Sequence, residues 1–196
     1  MAVGAGSAVG TVGVLCFIPD RLRNLAEVEL MDSIESFQVD HTKLLPGLYI
    51  SRQDFINTPM ATTYDIRMRR PNVEEPLSTA VMHTIEHIGA VFLRNYSCLD
   101  VIYFGPMGCR TGFYLVVAGH PDDETLLATM QDLFMCVLLS TEVPGATEEE
   151  CGNAADHDLE GAKRAARDYL DGVLNQIRKE NDVRLDYAEK KKPRHT

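Results

Sequence analysis

The sequence is short of positive charge and has none of the cysteine spacings that build a zinc ribbon. Nineteen Lys and Arg face 29 Asp and Glu, a formal net charge of −10 over 196 residues. A broad grip on nucleic acid needs clustered cations. The only cluster here is Lys190, Lys191, Lys192 and Arg194, which reads as a solvated end of the chain. No nucleic-acid partner is expected. Five cysteines, odd in number and with no Cys-x-x-Cys, make neither a disulfide framework nor a zinc ribbon. A reducing, cytoplasmic setting fits them. Residues 1–19 carry no charged side chain, but Gly4, Gly6, Gly10 and Gly13 interrupt them and no Lys or Arg precedes them. Neither a signal peptide nor a spanning helix is expected from such a stretch, and no membrane role. Its glycine spacing also misses the dinucleotide fingerprint by one residue. Residues 1–32 read as a disordered extension, with Met31 a candidate for the true start. Residues 33–178 read as one catalytic metal-binding domain, and 179–196 as a charged tail.

What is present is an ordinary globular core composition, 45% hydrophobic and 24% charged. Short strands are predicted over 47–50, 63–68, 99–104 and 112–119. Helices are predicted over 77–93, from Pro121 to about Ser140, and over 158–177. Asp122, Asp123 and Glu124 suit the positive end of the second helix. Strands cluster before helices more than they alternate with them, which predicts an α+β domain with an antiparallel sheet packed against helices.

Between Pro76 and Leu93 the only formal charge is Glu86, close to His83 and His87 in a stretch apolar nearly all round. Such a helix is expected to be buried, and an unpaired carboxylate there costs several kcal/mol. In a helix, residues i and i+4 share a face, so His83 and His87 can turn their imidazoles to one metal ion with Glu86 beside them. The pattern is H-x-x-E-H, the inverted zinc-protease motif. The bland alternative is a pair of part-buried histidines bonded to Glu86. Two imidazoles leave an ion short of ligands. Cys109 and Cys151 stand out, each in a turn next to glycine, while Cys136 reads as core packing and Cys98 has no nearby partner. Spacing does not rank these two, nor does it set aside His157, Glu148, Glu149, Glu150 or Glu160.

Five motifs occur in one order: Glu35-Ser36-Phe37-Gln38-Val39-Asp40-His41; Asp65-Ile66-Arg67; His83-Thr84-Ile85-Glu86-His87; Pro106-Met107-Gly108-Cys109-Arg110-Thr111-Gly112-Phe113-Tyr114; and Cys151-Gly152 followed by His157-Asp158-Leu159-Glu160. Over residues 33–175 the chain resembles the S-ribosylhomocysteine lyases, the LuxS family of autoinducer-2 synthesis. The resemblance implies His83, His87 and Cys151 as ligands of one divalent metal per subunit, iron(II) foremost, with zinc and cobalt(II) as alternatives. It implies Cys109 and Glu86 as the general acid/base pair, and Ser36, His41 and Arg67 as substrate contacts. It further implies a homodimer with active sites at the subunit interface. The reaction implied is release of homocysteine from S-ribosylhomocysteine, leaving 4,5-dihydroxypentane-2,3-dione. One departure stands out: many members have Asp-Ile-Ser where this chain has Tyr103-Phe104-Gly105. Cys109 is expected to be activated by the metal's charge together with Arg110 or a turn amide. The rival classes are an inverted-motif metallopeptidase, with Glu160 completing its site, and a non-enzymatic metal-binding module.

Overall fold

The computed structural model describes residues 42–55 and 60–180. The extension expected over 1–32, the positions Ser36 and His41, and the tail from residue 181 onward lie outside the described residues.

Alternation of polar and apolar residues builds four strands: β1 (Gly47–Phe55), β2 (Met60–Arg67), β3 (Val101–Pro106) and β4 (Gly112–Ala118). They form one antiparallel sheet in the order β1-β2-β4-β3. Thr62, Tyr64 and Ile66 of β2 pair across the ladder with Val117, Leu115 and Phe113 of β4. All six are fully buried. Leu48 of β1 and Phe104 of β3 extend that apolar face. The opposite face of β2 carries Asp65 and Arg67, which are also buried.

Three long helices cover the apolar face: α1 (Thr79–Asn95), α2 (Asp123–Leu139) and α3 (Leu159–Tyr169). Each opens on a side-chain cap that satisfies an otherwise unpaired amide. Ser78 accepts from Val81 N, Asp122 from Thr125 N and Asp158 from Gly161 N. Val81, Met82, Ile85, Ile88 and Leu93 of α1 meet Leu126, Met130, Leu133 and Phe134 of α2 and Ala162, Ala165, Ala166 and Tyr169 of α3 in one core. The α+β antiparallel architecture is as expected, but α1 is not buried all round. Val91 is 42% exposed, because only one side of the helix faces the core. The last predicted helix is also not continuous. A single π-helical turn, Leu170–Leu174, separates α3 from α4 (Asn175–Glu180). No helix among the described residues is long and apolar enough to cross a membrane.

Candidate metal centre

The side of α1 turned away from the core presents His83, Glu86 and His87, each half-buried. Facing it is the long connection between α2 and α3, and this loop does two things at once. It brings in Cys151, which is nearly buried, its sulfur 3.4 Å from His83 Nε2. It also fixes both rings from their far sides: His83 Nδ1 lies 2.9 Å from the Asp156 carbonyl and His87 Nδ1 lies 2.9 Å from the Pro144 carbonyl. A carbonyl only accepts, so each Nδ1 carries a hydrogen, which leaves Nε2 as the ring nitrogen able to bind an ion. Metal-binding histidines are oriented by such outer partners.

His157 joins the cluster. Its ring stacks on His83 at 4.1 Å between centroids, and its Nε2 is 3.9 Å from Cys151 Sγ. Its Nδ1 lies 3.3 Å from Thr84 Oγ1. The Thr84 hydroxyl donates to the Ala80 carbonyl at 2.8 Å and accepts from Asp158 N at 2.9 Å, so towards His157 it can only accept. Burial first, and the nearby His83 and His87 second, hold the His157 imidazole below its ordinary range. The ligand atoms of His83, His87, Cys151 and His157 all lie within 4.8 Å of one another.

These residues fit a divalent ion. Two ligands of one tetrahedral ion, at bond lengths of about 2.1 Å to nitrogen and about 2.3 Å to sulfur, stand roughly 3.5 Å apart. The His83–Cys151 separation of 3.4 Å matches that spacing, and the His157–Cys151 separation of 3.9 Å exceeds it. The four acids that spacing had left open are exposed. Glu160 pairs with Lys163, and Glu150 accepts from Thr147.

Beside this cluster is a cavity of about 340 Å³, lined by His83, Glu86, Met107, Gly108, Arg110 and Asp156 among others. One wall is thus the β3–β4 turn, which three backbone bonds from the β2–α1 connection hold in place. Met68 N and Arg69 N donate to the Thr111 carbonyl and Leu77 N to the Arg110 carbonyl. Arg110 sits at φ 59°, a left-handed conformation uncommon for arginine. Gly112 is needed just beyond, since a Cβ there would stand 2.2 Å from the Ile66 carbonyl oxygen.

Cys109 lies in this turn and is exposed. Its sulfur is 3.1 Å from Thr111 Oγ1 and 3.8 Å from the Arg67 guanidinium. Burial alone raises its pKa. The hydroxyl and amide of Thr111 and the charge of Arg67 outweigh that, and the thiol ends below its ordinary range. The turn amide among the expected influences is that of Thr111, and the cation beside the sulfur is Arg67. Arg67 is 2% exposed, with its Nε donating to Asp65 Oδ1 at 3.1 Å and its second amino group to Asp65 Oδ2. At the point of departure from the expected pattern, Phe104 stacks on Phe113 at 5.2 Å, while Tyr103 folds over Gly105.

A four-stranded antiparallel sheet carrying helices, with a two-histidine and cysteine cluster between a helix and a loop, defines an α+β protein with a site fit for a metal ion beside a cavity. The family model for S-ribosylhomocysteinase (LuxS) matches residues 34–180. The S-ribosylhomocysteine lyase of Finegoldia magna is 46% identical over 152 residues, covering 77% of this chain and 97% of that protein. Those of Borrelia garinii subsp. bavariensis and Clostridium beijerinckii are 47% and 43% identical, covering 77% and 78% of this chain and 98% of each relative. The chain belongs to the S-ribosylhomocysteinase (LuxS) family.

Proposed function

We propose that this chain is a metal-dependent carbon–sulfur lyase that cleaves S-ribosylhomocysteine to homocysteine and 4,5-dihydroxypentane-2,3-dione. The observation that carries the reading is the family match over residues 34–180, joined to one cluster of His83, His87 and Cys151 beside a cavity that Glu86 lines. His83, His87 and Cys151 are assigned as the ligands. His157 stands slightly farther from the sulfur and is left beside them. A divalent ion held there would supply Lewis acidity to the ribose oxygens, and iron(II) is the species proposed, with zinc and cobalt(II) as alternatives.

The thioether at ribose carbon 5 cannot leave as it stands. Two proton transfers beside a carbonyl move that carbonyl from carbon 1 to carbon 3. The carbon-4 proton then becomes acidic, and homocysteine departs from carbon 5 as a thiolate that takes up a proton. Each step needs a base on one carbon and an acid on its neighbour, working near neutral pH. Cys109, held towards its thiolate by Thr111 and Arg67, is assigned as one partner, and Glu86, on the cavity wall next to His83, as the other. Ser36 and His41 are proposed on the substrate side. Arg67 is proposed with them as a substrate contact and, tied to Asp65 and Thr111, it also bears on Cys109. We further propose a homodimer. Cys109 is exposed on the single chain, whereas proton transfer of this kind benefits from exclusion of water, which a second copy would provide.

Thiol release from S-ribosylhomocysteine tests the reading. The intact chain is expected to release homocysteine. Cys109→Ala is expected to keep its metal and lose turnover, and Cys151→Ala to lose the metal. Normal homocysteine release by Cys109→Ala would overturn the assignment of roles. Cleavage of casein without thiol release would favour a peptidase instead.

A further inference from the structure

Thr111 lies between three groups whose hydrogen-bonding directions can be resolved. Arg67 is clamped: Asp65, fully buried, takes its Nε and one amino group in a two-point fork. Such a fork fixes the guanidinium plane. The remaining amino group therefore points to Thr111 Oγ1, with the Cys109 sulfur farther away at 3.8 Å. A guanidinium only donates, so the Thr111 oxygen accepts from Arg67. Its own single hydrogen then needs an acceptor. Among the described residues the acceptor it meets is Cys109 Sγ, 3.1 Å away. Thr111 is 5% exposed, so water competes little for that hydrogen.

We propose that Thr111 is the positioning residue of the lyase site: it turns the donor direction of the buried Asp65–Arg67 pair onto the Cys109 sulfur and holds that sulfur as an anion in the turn that borders the cavity. This rests on the assignment of Cys109 made above. The direct Arg67–sulfur approach is long for a hydrogen bond, so the hydroxyl is the principal donor. The Thr111 carbonyl is bonded by two amides from the β2–α1 connection, and the residue's backbone is thereby immobilised. Side chain and backbone of one residue thus tie the thiol to both the buried Asp65–Arg67 pair and the connection that follows β2.

The test uses the full metal-loaded chain and reads the pH dependence of Cys109 alkylation by iodoacetamide, with Cys109 distinguished from the other cysteines by peptide mass spectrometry. Thr111→Val is expected to move the alkylation midpoint upward, cutting the thiolate fraction below the midpoint about tenfold, one unit of pKa. The acid limb of kcat/KM is expected to move with it. Thr111→Ser should restore both. Thr111→Ala repeats the hydroxyl deletion without placing a methyl against the guanidinium, should Val not fold. An unchanged midpoint in the hydroxyl-less variants would overturn the proposal, as would failure of Ser to restore it; a merely structural threonine would lower activity at all pH values without moving the midpoint. The alkylation readout needs no turnover. Absence of homocysteine release by the wild-type chain would defeat the proposed function while leaving this test standing.

Discussion

A side chain's chemistry here is set by what holds it. Thr84 shows this at a residue with no reactive atom. Lying between the two histidines of α1 and fully buried, it takes the amide of Asp158 and faces His157. Thr84→Val keeps the shape but leaves the Asp158 amide unpaired, costing about 1–3 kcal/mol. Because that amide anchors the loop whose carbonyls orient both rings, metal affinity is expected to fall roughly 10–100-fold, as for other outer-partner losses. Competition with a chelator measures it, and unchanged affinity would contradict the role. The histidine pair was legible because i and i+4 share a helix face, whatever the rest of the fold does. Cys151 was not: it arrives from 68 positions away, and only family likeness ranked it. The carbonyls of Pro144 and Asp156 left no trace in the sequence, since every residue has one. Likeness alone offered Arg67, as a substrate contact. Its bearing on Cys109 depends on the pairing of β2 with β4, which places Arg67 across from Gly112, and no local spacing encodes that.

Among the elements, the helix starts were the most legible features and the ends the least. Asp122 caps α2 through the Thr125 amide and hydroxyl, both at 2.8 Å, and these two contacts, the amide first, hold its carboxyl below the usual range. A carboxyl whose folded pKa lies below its unfolded value contributes fully above the unfolded range, and the contribution is lost as pH falls through the folded value. Asp122→Ala is therefore expected to lower Tm at neutral pH, and the gap from wild type to close in strong acid. A gap that persists there would contradict the cap. In α3 an ordinary rule reverses. Glycine inside a helix is usually worse than alanine, yet a Cβ on Gly161 would stand 2.2 Å from Asp158 Oδ2 and 2.6 Å from Val81 Cγ2. Gly161→Ala is expected to destabilise by about 1–3 kcal/mol, measured by denaturant unfolding, because relief requires moving the cap or the α1 contact. The π turn after Tyr169 escaped prediction because apolar periodicity does not register one extra residue in a turn. β1 runs to Phe55, beyond its predicted end at Ile50, because Arg52, Gln53 and Asp54 break the apolar signal on an edge strand whose backbone pairing continues.

Taken as a whole, the molecule places its candidate metal cluster and the proposed acid/base cysteine on different supports. The His83, His87 and Cys151 cluster sits between α1 and the α2–α3 loop, and Cys109 in a turn of the sheet, with a cavity bordered by the cluster and that turn. The sheet also leaves apolar side chains uncovered, with Ile102 53% and Tyr103 49% exposed on the edge strand β3. Exposed edges of this kind invite pairing unless covered, which accords with a dimer, and sedimentation equilibrium is expected to give twice the chain mass. A monomer at all concentrations would remove the second copy from the site. The claim under all of this is that one thiolate and two imidazoles share an ion. X-ray absorption at the edge of the metal in the loaded chain measures that directly. The account predicts one sulfur neighbour at about 2.3 Å and imidazole nitrogens at about 2.0–2.1 Å; a shell of nitrogen and oxygen alone, with no sulfur, would contradict it.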